Sequence, residues 1–435
     1  MDIFPIKIEK IVFGGEGLGF RADGKAVLVK KSLPEDHLLV KTVSESKNYL
    51  KAKIVKVVTP SSLRKKPECP YFQLCGGCDL QQTDYQHQLQ IKQAIIVDFF
   101  DKFKVEQKLL SPIIAGSSDQ FYYRNSIRFE FKTDNGKLVV GRHNYLDPKV
   151  PVITDYCLLQ SEFSNFFIEN LLKFLNQILT QEEKKIFWQI KIREGKALNE
   201  FMVELITEDN QIPKKDDLIN FVKKFSKIKS FYHSIAPKKN IYKIRRKLLS
   251  GRPIIFEKIG PYKFQIAPES FFQTNSLGVK NLYDQIKKTA GLKIGDRLLD
   301  LYAGVGGISI YLSALCSEVV AVEIVSEAIN DARDNARMNK ISNIKFVCDN
   351  AENFIKKDSH FDQIIVDPPR AGLKNSLIKT LIDKTDKFIY VSCNPSTFFR
   401  DLQILTKGGF KLTSFQPIDM FPQTHHIELT ARLER

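Results

Sequence analysis

Cys393 is the cysteine whose surroundings best fit a chemical role. It follows the apolar run FIYV and stands in the polar segment SCNP at 392–395, so the pattern places it at the carboxyl end of a strand. Cys316 and Cys348 lie in apolar surroundings and are predicted to be core thiols. Because the thiolate is the reactive form of cysteine and is stabilised by polar or charged neighbours, we interpret Cys393 as a nucleophile.

A second polar motif, DPPR at 367–370, closes the preceding apolar run QIIV. From about Gly291 onward the sequence alternates short apolar runs with segments of helical periodicity, which predicts a mostly parallel sheet covered by helices. The carboxyl ends of parallel strands meet at one edge of such a sheet, where ligands bind. The DPPR motif and Cys393 are therefore predicted to lie together.

A glycine-rich turn precedes both motifs. Residues 300–309, DLYAGVGGIS, end one strand and begin a helix, and Glu323 ends the next strand about 20 residues downstream, where a carboxylate can bind a ribose diol. Ser309 replaces the last glycine of the dinucleotide fingerprint, so S-adenosylmethionine is favoured over NAD. Asn350 closes the third strand and could bind the adenine amino group. Each of these polar strand ends could instead cap a helix.

Three other cysteines, Cys69, Cys75 and Cys78, form the pattern C-x5-C-x2-C with two glycines before the last. Seven cysteines in 435 residues are too few for a disulfide framework, so we predict a metal centre. Three thiolates need a fourth ligand, and thiolate ligation alone leaves both a four-iron four-sulfur cluster and a zinc site open.

The front of the chain follows other patterns. From Phe4 to about Thr59, short alternating runs separated by Gly, Pro and Asp predict a small β-barrel. Residues 84–104 have the apolar spacing of a helix, which we expect to pack on the catalytic domain. We divide the chain into three domains, at residues 1–60, 61–257 and 258–435.

The positive charge of the chain is concentrated before Asp296. The formal net charge is +16, from 66 basic and 50 acidic side chains. Residues 214–252 carry 13 basic and 2 acidic side chains, whereas residues 296–435 carry 17 and 18. A polyanionic partner such as RNA is therefore expected at the front, which argues against a purely small-molecule enzyme. A lysine-rich surface without a partner is the alternative for any single run.

Five segments together make a specific resemblance: FFQTN at 271–275, DLYAGVG at 300–306, DPPRAGL at 367–373, YVSCNPST at 390–397 and FPQTHHIELTARL at 421–433. This ordered set resembles the RNA uracil-5-methyltransferase family, whose members transfer a methyl group from S-adenosylmethionine to C5 of uridine. The front of the chain resembles those members that carry an N-terminal TRAM barrel followed by an iron–sulfur site.

The resemblance implies a multidomain α/β fold, with an OB-like TRAM β-barrel, a central α+β iron–sulfur domain and a Rossmann-like methyltransferase sheet. Cys393 is then the nucleophile that adds to C6 of uracil, and Glu428 is the base that removes the C5 proton after methyl transfer. Cys157 becomes the fourth ligand of a structural four-iron four-sulfur cluster. The implied cofactor-binding residues are Gln273, Tyr302, Gly307, Glu323, Asn350 and Asp367.

Two of these positions depart from the family pattern. Tyr302 stands where phenylalanine is frequent, and Gly307 stands where some members have asparagine. Stacking on the cofactor should survive both changes, but the polar contact of a side chain at 307 is lost.

Basic and aromatic residues interleave in the central domain. We predict RNA contacts from Arg124, Arg128, Arg142 and the run 238–252. The predicted stacking platforms are Tyr122, Tyr123, Phe129 and Phe131. Alternation along a strand implies that half of these residues face the core instead.

Other interpretations are less favoured. DPPR resembles the Asn/Asp-Pro-Pro-aromatic motif of amino-nitrogen methyltransferases, but Arg370 removes the aromatic residue. A radical mechanism needs a differently spaced cysteine triad. A noncatalytic RNA-binding iron–sulfur protein or redox sensor belongs to another class, and the intact Cys393, Glu428 and Gln273 favour the enzyme.

The expected RNA target is 23S ribosomal RNA, because of the resemblance to members with a TRAM barrel and a cluster, and transfer RNA is the alternative. The chain has no run of about eighteen apolar residues that could span a bilayer and no secretory signal, so a cytoplasmic protein is predicted. A monomer is the default.

Overall fold

The computed structural model describes residues 2–147, 150–240, 244–358 and 360–435, without the side chain of Lys238. The described chain is a mixed α/β protein with four sheets, which confirms the coarse fold class predicted from the sequence. None of the described helices is long and apolar enough to cross a membrane.

The first sheet contains six strands. They are β1 Ile3–Lys7, β2 Lys10–Val12, β3 Glu16–Phe20, β4 Ala26–Lys30, β5 His37–Glu45 and β6 Tyr49–Thr59. Their spatial order is β1-β5-β6-β4-β3-β2. Inward-facing Ile, Val and Leu side chains, among them Val27, Val40 and Leu50, form a small core of their own because buried and exposed residues alternate along the strands.

A long helix, α1 Tyr85–Phe103, leads from the first sheet to the sheet of residues 296–434, named the catalytic sheet here for its expected role, and the short strand β7 Ile114–Ala115 follows the helix. The helix begins at Asp84, whose side chain accepts a hydrogen bond from the His87 amide at 3.0 Å. Its apolar face joins the core of the catalytic sheet. On the same helix the fully buried Lys92 forms a 2.6 Å ion pair with Asp419, so the helix is fixed to the catalytic part by charge as well as by packing.

The central sheet has seven strands with helices on one side. Its strands are β8 Ser126–Asp134, β9 Lys137–Arg142, β10 Val152–Ile153, β11 Phe187–Gly195, β12 Glu200–Thr207, β13 Ile228–Ile235 and β14 Arg245–Gly251. The helices are α2 Glu162–Ile178, α3 Gln181–Lys184 and α4 Lys215–Lys223. The spatial order is β10-β9-β8-β11-β12-β13-β14, and α2 and α4 bury their apolar faces against β8, β11 and β12.

The catalytic sheet follows a two-stranded hairpin formed by β15 Ile255–Ile259 and β16 Tyr262–Ile266. Its strands are β17 Asp296–Leu301, β18 Cys316–Glu323, β19 Ile344–Cys348, β20 Gln363–Val366, β21 Lys387–Ser392, β22 Lys411–Asp419 and β23 Glu428–Glu434. The helices are α5 Ser276–Ala290, α6 Gly307–Leu312, α7 Ser326–Met338, α8 Ala351–Lys357, α9 Asn375–Lys384 and α10 Pro395–Lys407.

The order of the catalytic sheet is β19-β18-β17-β20-β21-β23-β22-β7. Strands β17 to β21 are mutually parallel, and β23 is antiparallel to both β21 and β22. The direction of strand succession reverses between β17 and β20. In an open α/β sheet this switch point opens a crevice beyond the carboxyl ends of the strands, and ligands bind there.

Candidate active site

A cavity of about 910 Å³ opens at the carboxyl edge of the catalytic sheet, around the switch point between β17 and β20. Seven of the eight predicted catalytic and cofactor-binding residues line it. They are Gln273, Tyr302, Gly307, Glu323, Asp367, Cys393 and Glu428. The structure thus brings into one cavity residues that lie up to 155 positions apart in the sequence.

Cys393 and Glu428 are brought together by strand register. Ser392, the last residue of β21, pairs with Leu429 of the antiparallel β23. Continued one step beyond these paired residues, the same register would set Cys393 opposite Glu428, and the charge of Glu428 acts on the Cys393 thiol. The general base predicted 35 residues away in sequence therefore stands beside the predicted nucleophile because β23 runs antiparallel to its neighbour.

The residues after Cys393 fix its position. The Asn394 side chain caps α10 by accepting a hydrogen bond from the Ser396 amide at 3.1 Å, and Pro395 occupies the first helical turn. The side-chain amide of Asn394 also donates a hydrogen bond to the Arg370 carbonyl oxygen at 2.9 Å. The SCNP and DPPR motifs are thus connected directly, and Cys393 lies at the amino end of a 13-residue helix.

Two carboxyl groups of the site, those of Glu428 and Asp367, hold their protons more firmly than usual. Burial raises the pKa of Glu428 to about 8, with a further contribution from the charge of Asp367, and the Arg370 guanidinium opposes the rise. Burial likewise raises the pKa of Asp367 to about 7. The pKa of the Cys393 thiol rises to about 11, through burial first and then the charges of Glu428 and Asp367. The nearby Arg370 guanidinium favours the anionic forms of both Cys393 and Glu428.

The glycine-rich turn carries the backbone geometry expected of a ligand-binding loop. Tyr302, at the end of β17, has a φ of 68°, a strained conformation for a side-chain-bearing residue. Both oxygens of Glu323 accept backbone hydrogen bonds, from Gly304 at 3.1 Å and from Val325 at 2.9 Å. These contacts hold the carboxylate at the cavity wall.

The loop that carries Gln273 is fixed from the central domain. Asn125 donates its side-chain amide to the Gln273 carbonyl oxygen and its backbone amide to the Thr274 carbonyl oxygen, both at 2.8 Å. Asn275 caps α5 and donates to the Met420 carbonyl oxygen at 2.9 Å. The FFQTN motif therefore joins the central domain, α5 and the segment that leads to Glu428.

Asn350 is the predicted cofactor residue that does not line the cavity. Its side chain caps α8 and accepts a hydrogen bond from the Glu352 amide at 2.8 Å. This is the capping role that was the alternative for a polar residue at a strand end. Contact with an adenine stays a prediction for this residue.

Several cavity residues were missed by the sequence reasoning. Tyr283, Asp331 and His426 line the cavity, and Arg246 reaches it from the central sheet. His426 could have been found, because it belongs to the FPQTHHIE motif, and Arg246 lies in the basic run 238–252. Tyr283 and Asp331 are on helices with ordinary amphipathic patterns, which give no signal of a ligand.

The four predicted metal ligands also meet. Cys69, Cys75, Cys78 and Cys157 line a second cavity of about 20 Å³. As their side chains stand, no group of three or more His, Cys, Asp or Glu residues in the described parts of the chain could hold a metal ion. Burial raises the pKa of the Cys78 thiol to about 12 and also raises that of Cys69.

Two arginines beside these cysteines test whether the cavity fits an anionic metal centre. No described residue accepts a hydrogen bond from Arg124 Nε or Arg142 Nη1, although both atoms are buried. Arg142 lines the cavity, and the charges of Cys78 and Cys157 act on Arg124. Buried, unpartnered N–H groups beside four thiols fit a thiolate-ligated centre with net negative charge, because such a centre would satisfy them.

The contact of Arg124 and Arg142 with RNA stays a prediction. Arg142 lines the cysteine cavity, the charges of Cys78 and Cys157 act on Arg124, and both residues are half-buried. The prediction of stacking platforms at Tyr123, Phe129 and Phe131 is wrong, because these side chains are buried. Phe129 and Phe131 face α2 in the core of the central domain, and the Tyr123 hydroxyl donates to the Pro422 carbonyl oxygen.

Other surface residues keep their predicted exposure. Tyr122 and Arg128 are exposed, as are Arg245 and Lys247 on the edge strand β14. Residues 241–243 and the side chain of Lys238 lie outside the described residues. Cys316 is buried, as predicted, but Cys348 is exposed because it ends the edge strand β19.

Comparison with known proteins identifies the family. A family model described as tRNA (uracil-5-)-methyltransferase matches residues 84–435. The chain belongs to this family. An uncharacterized RNA methyltransferase of Halalkalibacterium halodurans is 34% identical to this methyltransferase over 447 residues, covering 100% of the chain and 97% of the relative. One from Thermotoga maritima is 33% identical over 440 residues, covering 98% of each.

A solved structure resembles this methyltransferase over almost its whole length. It is the tRNA (uracil-54, C5)-methyltransferase of Pyrococcus abyssi, crystallised in complex with S-adenosyl-L-homocysteine. The TM-score is 0.76 at 28% sequence identity, and the match covers 98% of this chain and 99% of the other. The predictions of an RNA methyltransferase and of its family are thereby confirmed.

Proposed function

We propose that this enzyme transfers a methyl group from S-adenosylmethionine to C5 of a uridine in RNA, with Cys393 as nucleophile and Glu428 as general base. The observation that carries the proposal is the strand register that sets Cys393 beside Glu428, in the same cavity as the glycine-rich turn. The resemblance to a structure solved with S-adenosyl-L-homocysteine supports the cofactor.

The reaction needs both residues. Uracil C5 is a weak nucleophile, but addition of the Cys393 thiolate to C6 forms an S–C6 bond and moves electron density to C5. C5 then takes the methyl group that S-adenosylmethionine supplies, and S-adenosylhomocysteine leaves. C5 now carries a methyl group and a proton. Glu428 removes that proton, the C5–C6 double bond re-forms, and the S–C6 bond to Cys393 breaks.

The charges of the site agree with this sequence. In the free protein, burial keeps Cys393 as a thiol and Glu428 largely protonated near neutral pH. The positive sulfonium of the cofactor would add to the effect of Arg370 and lower the pKa of both groups. Cofactor binding is therefore expected to prepare the nucleophile and the base together.

The remaining cofactor contacts are assigned by position. We propose that Glu323 binds the ribose diol, that Gln273 and Asp367 face the reacting end, and that Tyr302 stacks on the cofactor. The space that a side chain at Gly307 would fill is taken by the Tyr283 hydroxyl. We propose that Asn350 contacts the adenine; its side-chain oxygen must then either accept a second hydrogen bond or give up its cap on α8.

Nucleoside analysis tests the proposal directly. Purified protein is incubated with methyl-labelled S-adenosylmethionine and, separately, with unmodified ribosomal or transfer RNA, and the digested RNA is examined by mass spectrometry. We expect labelled 5-methyluridine in one pool. Product bearing the label on an amino nitrogen, or no product despite bound cofactor, would overturn the assignment.

The target RNA is the finer part of the proposal. The resemblance of the front of the chain to TRAM-containing members favours 23S ribosomal RNA, whereas the name of the matching family and the Pyrococcus abyssi structure favour transfer RNA. The two pools of the experiment separate these alternatives. A folded RNA must turn the target base out of its stack to reach Cys393, so a loop uridine is expected in either case.

We also propose that Cys69, Cys75, Cys78 and Cys157 hold a four-iron four-sulfur cluster with a structural role. The four thiols surround one cavity, and two buried arginine N–H groups beside it are unpartnered among the described residues. A single zinc ion would need the thiols to converge on one point, since Zn–S bonds are about 2.3 Å long. Iron, sulfide and zinc analysis of anaerobically purified protein tests this. Stoichiometric zinc without sulfide would overturn it.

A further inference from the structure

Tyr283 occupies the space beside Gly307. A Cβ atom at position 307 would lie 2.2 Å from the Tyr283 hydroxyl oxygen and 3.1 Å from the ring carbon that bears it. Any side chain at 307 therefore requires Tyr283 to move. Tyr283 is on α5 and Gly307 begins α6, so two helices that border the cavity meet at this point. Glycine at 307 and tyrosine at 283 are a matched pair in this chain.

The Tyr283 hydroxyl is set up to bind something in the cavity. The side chain is 7% exposed and lines the cavity. Among the residues that the structure describes, none forms a hydrogen bond with the hydroxyl. Burial and the charges of Asp367 and Asp300 raise the pKa of Tyr283, so the hydroxyl keeps its proton and remains a donor. The hydroxyl faces the cavity without a partner in the described part of the chain, so a ligand bound there can accept its hydrogen bond.

We propose that the Tyr283 hydroxyl donates a hydrogen bond to the carboxylate at the amino-acid end of S-adenosylmethionine, and so replaces the polar side chain that Gly307 lacks. This inference rests on the proposed function. The ring is held in place by the neighbouring Tyr311, whose ring centre lies 5.3 Å away, so the hydroxyl is presented at a fixed position.

The amino-acid end follows from the placement of the other groups. Glu323 stands at the end of β18, on the side of the turn where the ribose is expected. Cys393 and Asp367 mark the place where the methyl group is delivered. Tyr283 lies near Asp367, on the opposite side of the glycine-rich turn from Glu323. The part of the cofactor left for Tyr283 is the amino-acid end, where the carboxylate is the acceptor.

Two ligands that differ only in that end test the proposal. S-adenosylhomocysteine carries the amino-acid end, and 5′-methylthioadenosine lacks it. We expect Tyr283→Phe to weaken the binding of S-adenosylhomocysteine roughly tenfold, as measured by calorimetry on the full chain, because a hydrogen bond to a charged group is lost. Binding of 5′-methylthioadenosine should change by less than about twofold, which would also show that the variant is folded.

A second substitution tests the pairing of the two positions. Gly307→Asn alone should weaken both ligands, because its Cβ collides with the Tyr283 hydroxyl. In the Tyr283→Phe background the same substitution should be better tolerated and should restore part of the affinity for S-adenosylhomocysteine. A double-mutant cycle measures this coupling.

The outcomes distinguish a wrong role for Tyr283 from a wrong proposed function. Unchanged binding of S-adenosylhomocysteine to Tyr283→Phe, or an equal loss for both ligands, overturns the role of Tyr283. If the two substitutions are additive, the pairing with Gly307 is wrong. If the unmodified protein binds neither ligand, the proposed cofactor itself is wrong.

Discussion

The two cysteine-lined cavities of this enzyme use the same residue type in opposite settings. Around Cys393 the cavity is about 910 Å³ and lined by carboxyl groups, an arginine and a glycine-rich turn. Around Cys78 it is about 20 Å³, with three further cysteines and two arginines beside it. One cavity can admit a nucleoside and the other cannot. We therefore expect the neighbouring residues and the free space around a thiol to determine whether it reacts with a substrate or holds a metal centre.

The two cavities are joined by the segment at 421–427. Asp79, next to Cys78, accepts hydrogen bonds from the His425 amide at 3.2 Å and from His425 Nδ1 at 2.7 Å. The amides of Asp79 and Leu80 donate to the Gln423 carbonyl oxygen at 2.8 and 3.0 Å. This segment leads directly into Glu428. The cysteine loop therefore holds the strand end that carries Glu428, the proposed general base.

The largest effect is expected from Cys393→Ala. Without a nucleophile at C6 the ring cannot be activated, so turnover should fall at least about a thousandfold, into the range of other catalytic nucleophile removals. RNA and cofactor affinity, measured by filter binding and calorimetry, should stay within a few-fold of the unmodified values. Cys316→Ala, at a buried thiol far from the chemistry, is the matched control and should keep its activity. Substantial turnover by Cys393→Ala would assign the nucleophile elsewhere.

Glu428→Gln should stop the reaction one step later. Addition of Cys393 and methyl transfer can still occur, but the C5 proton is not removed, so a covalent protein–RNA adduct should accumulate. The adduct is detected as a band that resists denaturing electrophoresis and carries the methyl label. Cys393→Ala/Glu428→Gln is the control and should form none. Normal turnover without an adduct would show that another group is the base.

Most of the proposed site residues in the catalytic cavity could be predicted from the sequence. Strand–helix alternation defines one sheet edge, and seven of the eight predicted site residues lie at that edge. The faces of the central sheet could not be predicted in the same way. Its strand β8 is covered by α2 on one side, and Arg124, two residues before the strand, is within reach of the charges of Cys78 and Cys157. Alternation alone does not say which side is covered.

The cysteine cavity is tested by Cys78→Ser. Serine is close to cysteine in size but is a poor ligand for iron, so we expect the variant to lose iron and sulfide. Because metal binding contributes to folding stability, its melting temperature should fall by about several degrees. Cys348→Ser, at an exposed cysteine, is the control and should keep both iron and stability. Full iron content in Cys78→Ser would remove it from the ligand set.

The buried carboxyl groups of the catalytic cavity predict a pH dependence of stability. The pKa of Glu428 is raised from 4.5 to about 8 in the folded protein. The folded state that holds this proton is therefore most stable below pH 4.5, and this contribution to the free energy of unfolding is lost as the pH rises from 4.5 through 8. The loss approaches roughly 1.4 kcal/mol for each pH unit in that window. Denaturant unfolding at pH 6 and pH 8 measures it. The loss should be smaller in Glu428→Gln, and an equal loss in both would contradict the raised pKa.

The smallest effect is expected at Asp79, which joins the cysteine loop to the segment before Glu428 through its hydrogen bonds to His425. Replacing Asp79 by alanine removes both hydrogen bonds to His425 and loosens the segment before Glu428, so kcat should fall roughly threefold to tenfold, the effect of about 1 kcal/mol. A positioning role makes a specific signature: proton removal slows, so the steady-state fraction of covalent protein–RNA adduct should rise while KM changes little. Asp79→Asn keeps an acceptor for the His425 amide, so its kcat should lie between that of Asp79→Ala and that of the unmodified enzyme. If kcat falls with no rise in adduct and with loss of iron, Asp79 supports the cysteine cavity alone, and the connection between the two cavities does not reach the base.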